Sequence, residues 1–208
     1  MSSVRLKICG LTRETDVDAV AALDVDAVGF VLWPGSPRAV TPAAAAVLGR
    51  RLPPWMARVG VMVGPTPAEA SVAVRQGGLS VLQVHEVDDV TPLVALGVPI
   101  VWVTSLDRAA ETPTPAGATL MVDAVDPVRH GGTGRPIDWA RAADLARRER
   151  LVLAGGLTAE NVARAIAMVR PYGVDVSSGV ESAPGLKSPE RLRQFVAAVR
   201  QPSVELPP

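Results

Sequence analysis

The amino-acid sequence predicts an α/β fold, a single-domain (βα)8 barrel, on three observations. Short apolar runs rich in Val occur eight times along the chain, stretches with helical patterning separate them, and no linker or shift in composition divides the 208 residues into two parts. Runs that are apolar almost throughout, instead of alternating, are how strands buried on both faces of a parallel sheet read. Eight strand–helix units in 208 residues leave about 26 residues each, tight but sufficient for a closed barrel. The structural rival is an open doubly wound sheet. Such a sheet has two edges, and none of the eight runs reads as a polar edge strand.

The predicted strands span residues 4–9, 27–32, 58–63, 80–85, 99–103, 119–123, 151–154 and 174–177. Thr41-Pro42 opens an Ala-rich helix after the second strand, and Ser188-Pro189-Glu190 opens the last helix. Both put a capping hydroxyl before a proline in the first helical position. In the last helix Leu192, Phe195, Val196 and Val199 fall at i, i+3, i+4 and i+7, one apolar stripe that must be buried. A helix starting at Thr158 repeats the pattern with Val162, Ala165, Ile166 and Val169. After the fifth strand, Pro113 and Pro115 weaken the case for a helix. Residues 1–200 read as the barrel domain and 201–208, with three prolines, as a flexible tail. Trp33 and Trp55 read as packing residues.

Composition narrows the function classes. Hydrophobic residues make up 48% and charged ones 20%, enough apolar surface for a full core. Lys plus Arg and Asp plus Glu number 21 each, a zero balance that argues against a nucleic-acid backbone as partner. Four Trp, one Tyr and two Phe are too few for base-stacking platforms. No signal peptide or spanning segment is evident, so a cytoplasmic protein with no membrane partner is expected. The single cysteine, Cys9, excludes an internal disulfide and a cysteine-based zinc site. With only His85 and His130, a His triad or multi-histidine metal site has no support.

In a closed barrel the reactive groups sit where strands run into loops. Those ends are Cys9-Gly10, the stretch from Trp33 to Arg38, Gln83-Val84-His85, Asp123, Gly155-Gly156 and Ser177-Ser178-Gly179. The last two are loops of small residues, where backbone N–H groups can approach an anion at the usual phosphate position of such barrels. Either pair could equally form tight turns alone. Gly131-Gly132-Thr133-Gly134 is a third, weaker glycine loop. A buried cysteine is by default a small apolar filler. A carboxyl group closing the apolar run Leu120-Met121-Val122-Asp123 would have its pKa raised by burial and could act as an acid, or else cap a helix or pair with a cation. Asp175, inside the eighth strand, needs a partner to be buried there. Arg38 could clamp a carboxylate at two points or be solvated. His85 suits a hydrogen-bonding wall residue.

Taken together these residues resemble the phosphoribosylanthranilate isomerase family of tryptophan biosynthesis. The likeness rests on Lys7-Ile8-Cys9-Gly10-Leu11-Thr12, Asp26-Ala27-Val28-Gly29-Phe30, Ser36-Pro37-Arg38, Val59-Gly60-Val61 and Leu82-Gln83-Val84-His85. It continues through Gly131-Gly132-Thr133-Gly134 and Leu153-Ala154-Gly155-Gly156-Leu157 to Val174-Asp175-Val176-Ser177-Ser178-Gly179-Val180-Glu181, with Pro184-Gly185 and Lys187. The resemblance implies a (βα)8, or TIM, barrel that carries out an Amadori rearrangement of N-(5-phosphoribosyl)anthranilate with no metal or organic cofactor. It implies Cys9 as general base, Asp123 as general acid and Arg38 at the anthranilate end. It also implies Gln83, His85 and Asp175 as further substrate contacts, and phosphate loops at Gly155, Gly156, Ser177, Ser178 and Gly179. A small phosphosugar is then the partner of a monomer or homodimer.

The chemistry needs the acid's pKa raised and the base's lowered, because a free thiol near 8.5 is only about a few per cent ionised at pH 7. Two features depart from the family. Its Leu-Gln-Leu-His-Gly pattern has Val84 and Glu86 here, setting a carboxylate at the mouth. Its fifth strand commonly carries a lysine where this chain reads Val101-Trp102-Val103. Histidine-biosynthetic barrel isomerases share the architecture but place an aspartate where Cys9 stands. A non-catalytic phosphate-binding barrel would need neither Cys9 nor Asp123.

Overall fold

The structure, a computed structural model, describes residues 4–123 and 137–200. The eight barrel strands are β1 (Arg5–Cys9), β2 (Ala27–Val31), β3 (Ala57–Val63), β4 (Val81–His85), β5 (Ile100–Thr104), β6 (Ala118–Val122), β7 (Leu151–Leu153) and β8 (Gly173–Val176). All pair in parallel in sequence order, and β8 returns to β1 through Arg5↔Gly173, Leu6↔Val174, Lys7↔Asp175 and Ile8↔Val176. Closure removes both edges and settles the choice against the open sheet. The helices are α1 (Glu14–Ala21), α2 (Pro42–Gly49), α3 (Pro67–Gly77), α4 (Thr91–Val94), α5 (Leu106–Glu111), α6 (Trp139–Ala146), α7 (Val162–Val169) and α8 (Pro189–Arg200).

Side chains that alternate along each strand divide the core in two. Leu6, Ile8, Val28, Phe30, Leu120 and Val122 point outward and join Leu192, Phe195 and other helix residues in one cluster between sheet and helices. Their neighbours point into the lumen and form two small apolar clusters, Cys9 with Val31 and Val61, and Val103 with Met121 and Ala154. Between these clusters the lumen also holds polar side chains: Lys7, Gln83 and Asp175 are all buried. That contrast between a continuous outer core and a broken inner one puts the site at the strand ends.

Caps act where the sequence places them. The Thr41 hydroxyl accepts from Ala44 N–H at 3.1 Å, and that of Ser188 from Arg191 N–H at 3.3 Å. The whole stripe of α8 is buried. After β5 a helix does form, because Ser105 caps the Arg108 N–H at 3.1 Å before Pro113 ends the run. α7 starts at Val162, later than expected, since Thr158 is drawn into the preceding turn by its N–H bond to Asn161 Oδ1 at 2.8 Å. An unforeseen antiparallel hairpin, β9 (Glu181–Ala183) and β10 (Leu186–Lys187), follows β8. Trp102 faces outward and donates its indole N–H to Val87 O at 2.8 Å, so the lumen at β5 is lined by Val101 and Val103. Trp55 is 87% exposed and is not a packing residue. No helix among the described residues is long and apolar enough to cross a membrane. The expected tail 201–208, His130 and the Gly131–Gly134 loop lie outside the described residues.

Candidate active site

The mouth is formed by the C-terminal ends of the strands. Cys9 closes β1 and faces the lumen because Leu6 and Ile8 take the outward positions. The next residue, Gly10, has φ +80, and a Cβ there would lie 2.6 Å from Arg38 Cδ, so only glycine lets the arginine pass. Ser177, just past the end of β8, donates its hydroxyl to Cys9 O at 3.2 Å and ties the two strand ends together. Burial pushes the Cys9 thiol up, and the nearby Lys7 charge only partly offsets it. The lowered thiol pKa expected from the chemistry is therefore not the resting condition, because loss of solvent outweighs the cation.

Asp175 has its partner. Lys7 Nζ donates to its Oδ1 at 2.8 Å, and both side chains are 9% exposed. Burial alone would lower the Lys7 pKa, but Asp175 and Cys9 raise it overall, so the ammonium stays charged. A dry ion pair of this kind persists because each charge neutralises the other.

Asp123 follows the last residue of β6, and its N–H bonds to Thr104 O at 3.3 Å. Met121 faces the lumen and Val122 the outer core, so alternation turns Asp123 toward the mouth, half-buried. β6 and β1 are separated by β7 and β8 on one side of the ring and by four strands on the other. The carboxyl group and the thiol therefore stand across the mouth from each other. On the wall between them Gln83 Nε2 and His85 Nε2 are 3.1 Å apart. Glu86, with φ +54, stands in the left-handed turn that explains the glycine of the family pattern, and its side chain is exposed.

Arg38 does clamp a carboxylate at two points, and it is the chain's own. Nε and Nη2 donate to Glu181 at 2.8 and 2.7 Å. Glu181 Oε1 also receives Lys187 Nζ at 2.9 Å, and the same ammonium donates to Ser177 O at 3.0 Å. Although burial opposes it, these cations hold the Glu181 carboxyl below its ordinary range. The β9–β10 hairpin thus fixes Arg38 beside Gly10. In the sequence Glu181 and Lys187 stand out only as parts of a motif, because their partners are remote along the chain. Lys7 was legible in principle: it is two residues before Cys9, on the same face of one strand.

The glycine loops after β7 and β8 line one cleft of about 410 Å³, with Gly156, Leu157, Thr158, Ser178, Gly179 and Arg191 among its walls. Gly155 and Gly156 have φ +84 and +65. A Cβ on Gly179 would sit 2.0 Å from Leu157 O, so the two loops touch backbone to backbone. The structure brings together Cys9, Arg38, Asp175 and Ser177 on one side of the mouth, with Gly155, Gly156, Ser178 and Gly179 adjoining. Asp123 stands on the facing wall, with Gln83 and His85 on the stretch between. Among the described residues no three His, Cys, Asp or Glu side chains are grouped as a metal would need.

Fold and site define the class: a (βα)8 barrel enzyme whose mouth sets a thiol opposite a carboxyl group, next to a glycine-lined cleft. Comparison with known proteins gives the family. A family model described as N-(5'phosphoribosyl)anthranilate (PRA) isomerase matches residues 6–198, and the chain belongs to that family. The N-(5'-phosphoribosyl)anthranilate isomerase of Chromohalobacter salexigens is 45% identical over 207 residues, covering 96% of this chain and 95% of its own. The crystal structure of phosphoribosyl anthranilate isomerase from Thermus thermophilus superposes with TM-score 0.83 at 36% identity, covering 94% and 98% of the two chains. Another solved isomerase, in complex with reduced 1-(o-carboxyphenylamino)-1-deoxyribulose 5-phosphate, gives TM-score 0.80 at 31% identity, covering 95% and 98%.

Proposed function

We propose that this chain converts N-(5-phosphoribosyl)anthranilate to 1-(2-carboxyphenylamino)-1-deoxyribulose 5-phosphate in tryptophan biosynthesis, with Asp123 as general acid and Cys9 as general base. The observation that carries the residue assignment is the placement of these two groups across one barrel mouth. Asp123 gives a proton to the ribose ring oxygen as the C1′–O bond breaks, and the anthranilate nitrogen supplies the electron pair of the resulting Schiff base. Cys9, as thiolate, takes the C2′ proton, and the electrons of that C–H bond form the enolamine. Tautomerisation then gives the ketose. Acid and base steps of this sort each contribute about 10²- to 10⁴-fold.

The anionic ends of the substrate fit the remaining residues. The phosphate is assigned to the loops at Gly155, Gly156, Ser177, Ser178 and Gly179, of which Gly156, Ser178 and Gly179 line the cleft, where backbone N–H groups can approach it. The anthranilate carboxylate meets Arg38, whose Nη1 is the terminal nitrogen not engaged by Glu181 in the two-point pair. Gln83, His85 and Asp175 complete the wall around the sugar. The protein works in the cytoplasm as a monomer or homodimer, and its zero net charge gives it no general electrostatic attraction to a nucleic-acid backbone.

The test is a fluorescence assay following loss of phosphoribosylanthranilate. Cys9→Ser and Asp123→Asn should each lower kcat by about 10²- to 10⁴-fold while product binding, read by titration calorimetry, persists. Turnover near that of the native chain in either variant removes that residue from its role.

A further inference from the structure

Cys9 has surroundings that favour the neutral thiol, with Val31 and Val61 packed against the sulfur. A base there requires a fixed positive charge at short range, because an isolated anion in a dry site is strongly disfavoured. Of the two cations on its face of β1, Arg5 is exposed and paired with Asp26, and Lys7 is the near one. Lys7 is buried two residues earlier and points into the same lumen. The neighbouring strand makes room for both groups. A Cβ on Gly29 would lie 2.7 Å from Cys9 Sγ and 3.1 Å from Lys7 Nζ, so sulfur and ammonium lie side by side over a residue without a side chain. Any larger residue at this position would displace them.

The remaining charges around Cys9 come from three other elements. Asp175 on β8 holds Lys7 Nζ at 2.8 Å and pushes the thiol up. Lys187 on β10 and Arg38 in the loop after β2 both reach Cys9 electrostatically, and both are paired with Glu181, at 2.9 and 2.7 Å. Lys7 lowers the thiol more than Lys187 does.

We propose that Lys7 is the positioning residue of the base: its ammonium, anchored by Asp175 and lodged over Gly29, is the charge against which the Cys9 thiolate forms. Lys7 does not itself exchange the proton, since Asp175 keeps it charged. The inference rests on the reading of Cys9 as general base and deepens it. The arrangement also has a built-in opposition, because Asp175 fixes the helpful cation yet repels the thiolate. Lys7 and Asp175 should therefore move the titration of the sulfur in opposite directions.

The single cysteine makes this measurable without substrate. Protein labelled with [¹³Cβ]cysteine shows one resonance, whose shift against pH gives the midpoint of Cys9. Lys7→Met should raise that midpoint by about one to two units, roughly ten- to a hundredfold less thiolate at a given pH. Lys7→Arg should restore most of it, and Asp175→Asn should lower it. Lys7→Met leaves Asp175 buried alone, so if it does not fold, the charge-neutral Lys7→Met/Asp175→Asn double variant carries the test, with a smaller upward shift expected. Midpoints that stay put, or that move the same way in the Lys7→Met and Asp175→Asn variants, overturn the inference. This outcome is separable from the base reading. If Cys9→Ser keeps native turnover, the base assignment fails whatever the titrations show. If Cys9→Ser is inactive but the midpoints do not respond to Lys7, only the present inference fails.

Discussion

Arg38 engages two of its donors with a carboxylate of its own chain, and that fixes what can be expected of each partner. Glu181 is 5% exposed and receives Arg38, Lys187 and the Gly185 N–H. Glu181→Gln keeps the shape and removes the charge that balances two cations. Breaking a buried pair from one side costs about 3–5 kcal/mol in stability, less where the survivors can still reach water. Arg38 is 17% exposed, so a loss of about 2–4 kcal/mol is expected by chemical denaturation. In the kinetics KM should rise about tenfold with kcat little changed, because Arg38 is misplaced while the acid and base are not. An unaltered KM would show that Arg38 needs no help from Glu181. This scale also shows the limit of reading residues from sequence. The positions of Cys9 and Asp123 at the mouth were legible because each closes an apolar run. Asp175 was legible as a problem, but its answer, Lys7, is 168 positions away. The raised thiol pKa was not legible at all, since it depends on what the barrel packs against the sulfur.

Strands and caps are local, and they were read nearly as they stand; loops owe their shape to what they touch. The expected helix start at Thr158 failed because the side chain of Asn161, bonded to Thr158 N–H and Gly156 O at 2.8 Å each, builds a turn before α7 begins. The β9–β10 hairpin is held by Arg38, Asp16 and Arg191 from elsewhere, with Lys187 N–H bonded to Asp16 at 3.1 Å. No local pattern encodes that. Glycines show the same distinction. Gly97 has φ +76 with nothing within 4 Å of an added Cβ, so Gly97→Ala should cost about 1 kcal/mol of backbone strain and leave kinetics unchanged. Gly179 has no positive φ to defend, but its Cβ would strike Leu157 O at 2.0 Å, forcing the two cleft loops apart. Gly179→Ala should weaken competition by inorganic phosphate, and raise KM, at least about tenfold. Equal behaviour of the two variants in steady-state inhibition assays would detach the cleft from phosphate binding.

At the scale of the whole molecule, closure joins the first and last elements, and a carboxylate helps hold that seam. Asp26, entering β2, accepts Arg5 Nη1 at 2.6 Å, Leu6 N–H at 2.9 Å and Arg200 Nη2 at 3.0 Å. Arg200, the last residue of α8, also donates to Val4 O at 2.7 Å and Asp24 O at 2.9 Å. One cluster therefore ties β1, β2 and α8, and closure could be inferred from eight buried strands while the residues that seal it could not. Partial burial would raise the Asp26 pKa, but Arg5, the Leu6 N–H and Arg200 bring it below the ordinary carboxylate value. A group lowered in the folded state binds fewer protons there than in the unfolded chain, so it stabilises the fold above the unfolded value, about 3.9, and that contribution is lost as pH falls through the folded value. Glu181, lowered by Arg38 and Lys187, acts in the same sense. Urea unfolding should therefore show stability declining below about pH 4.5. Asp26→Asn should be less stable than the native chain at pH 7 and fall less steeply between pH 5 and 3, so that the two curves converge in acid. Parallel curves over that interval would mean that the seam is held by packing alone.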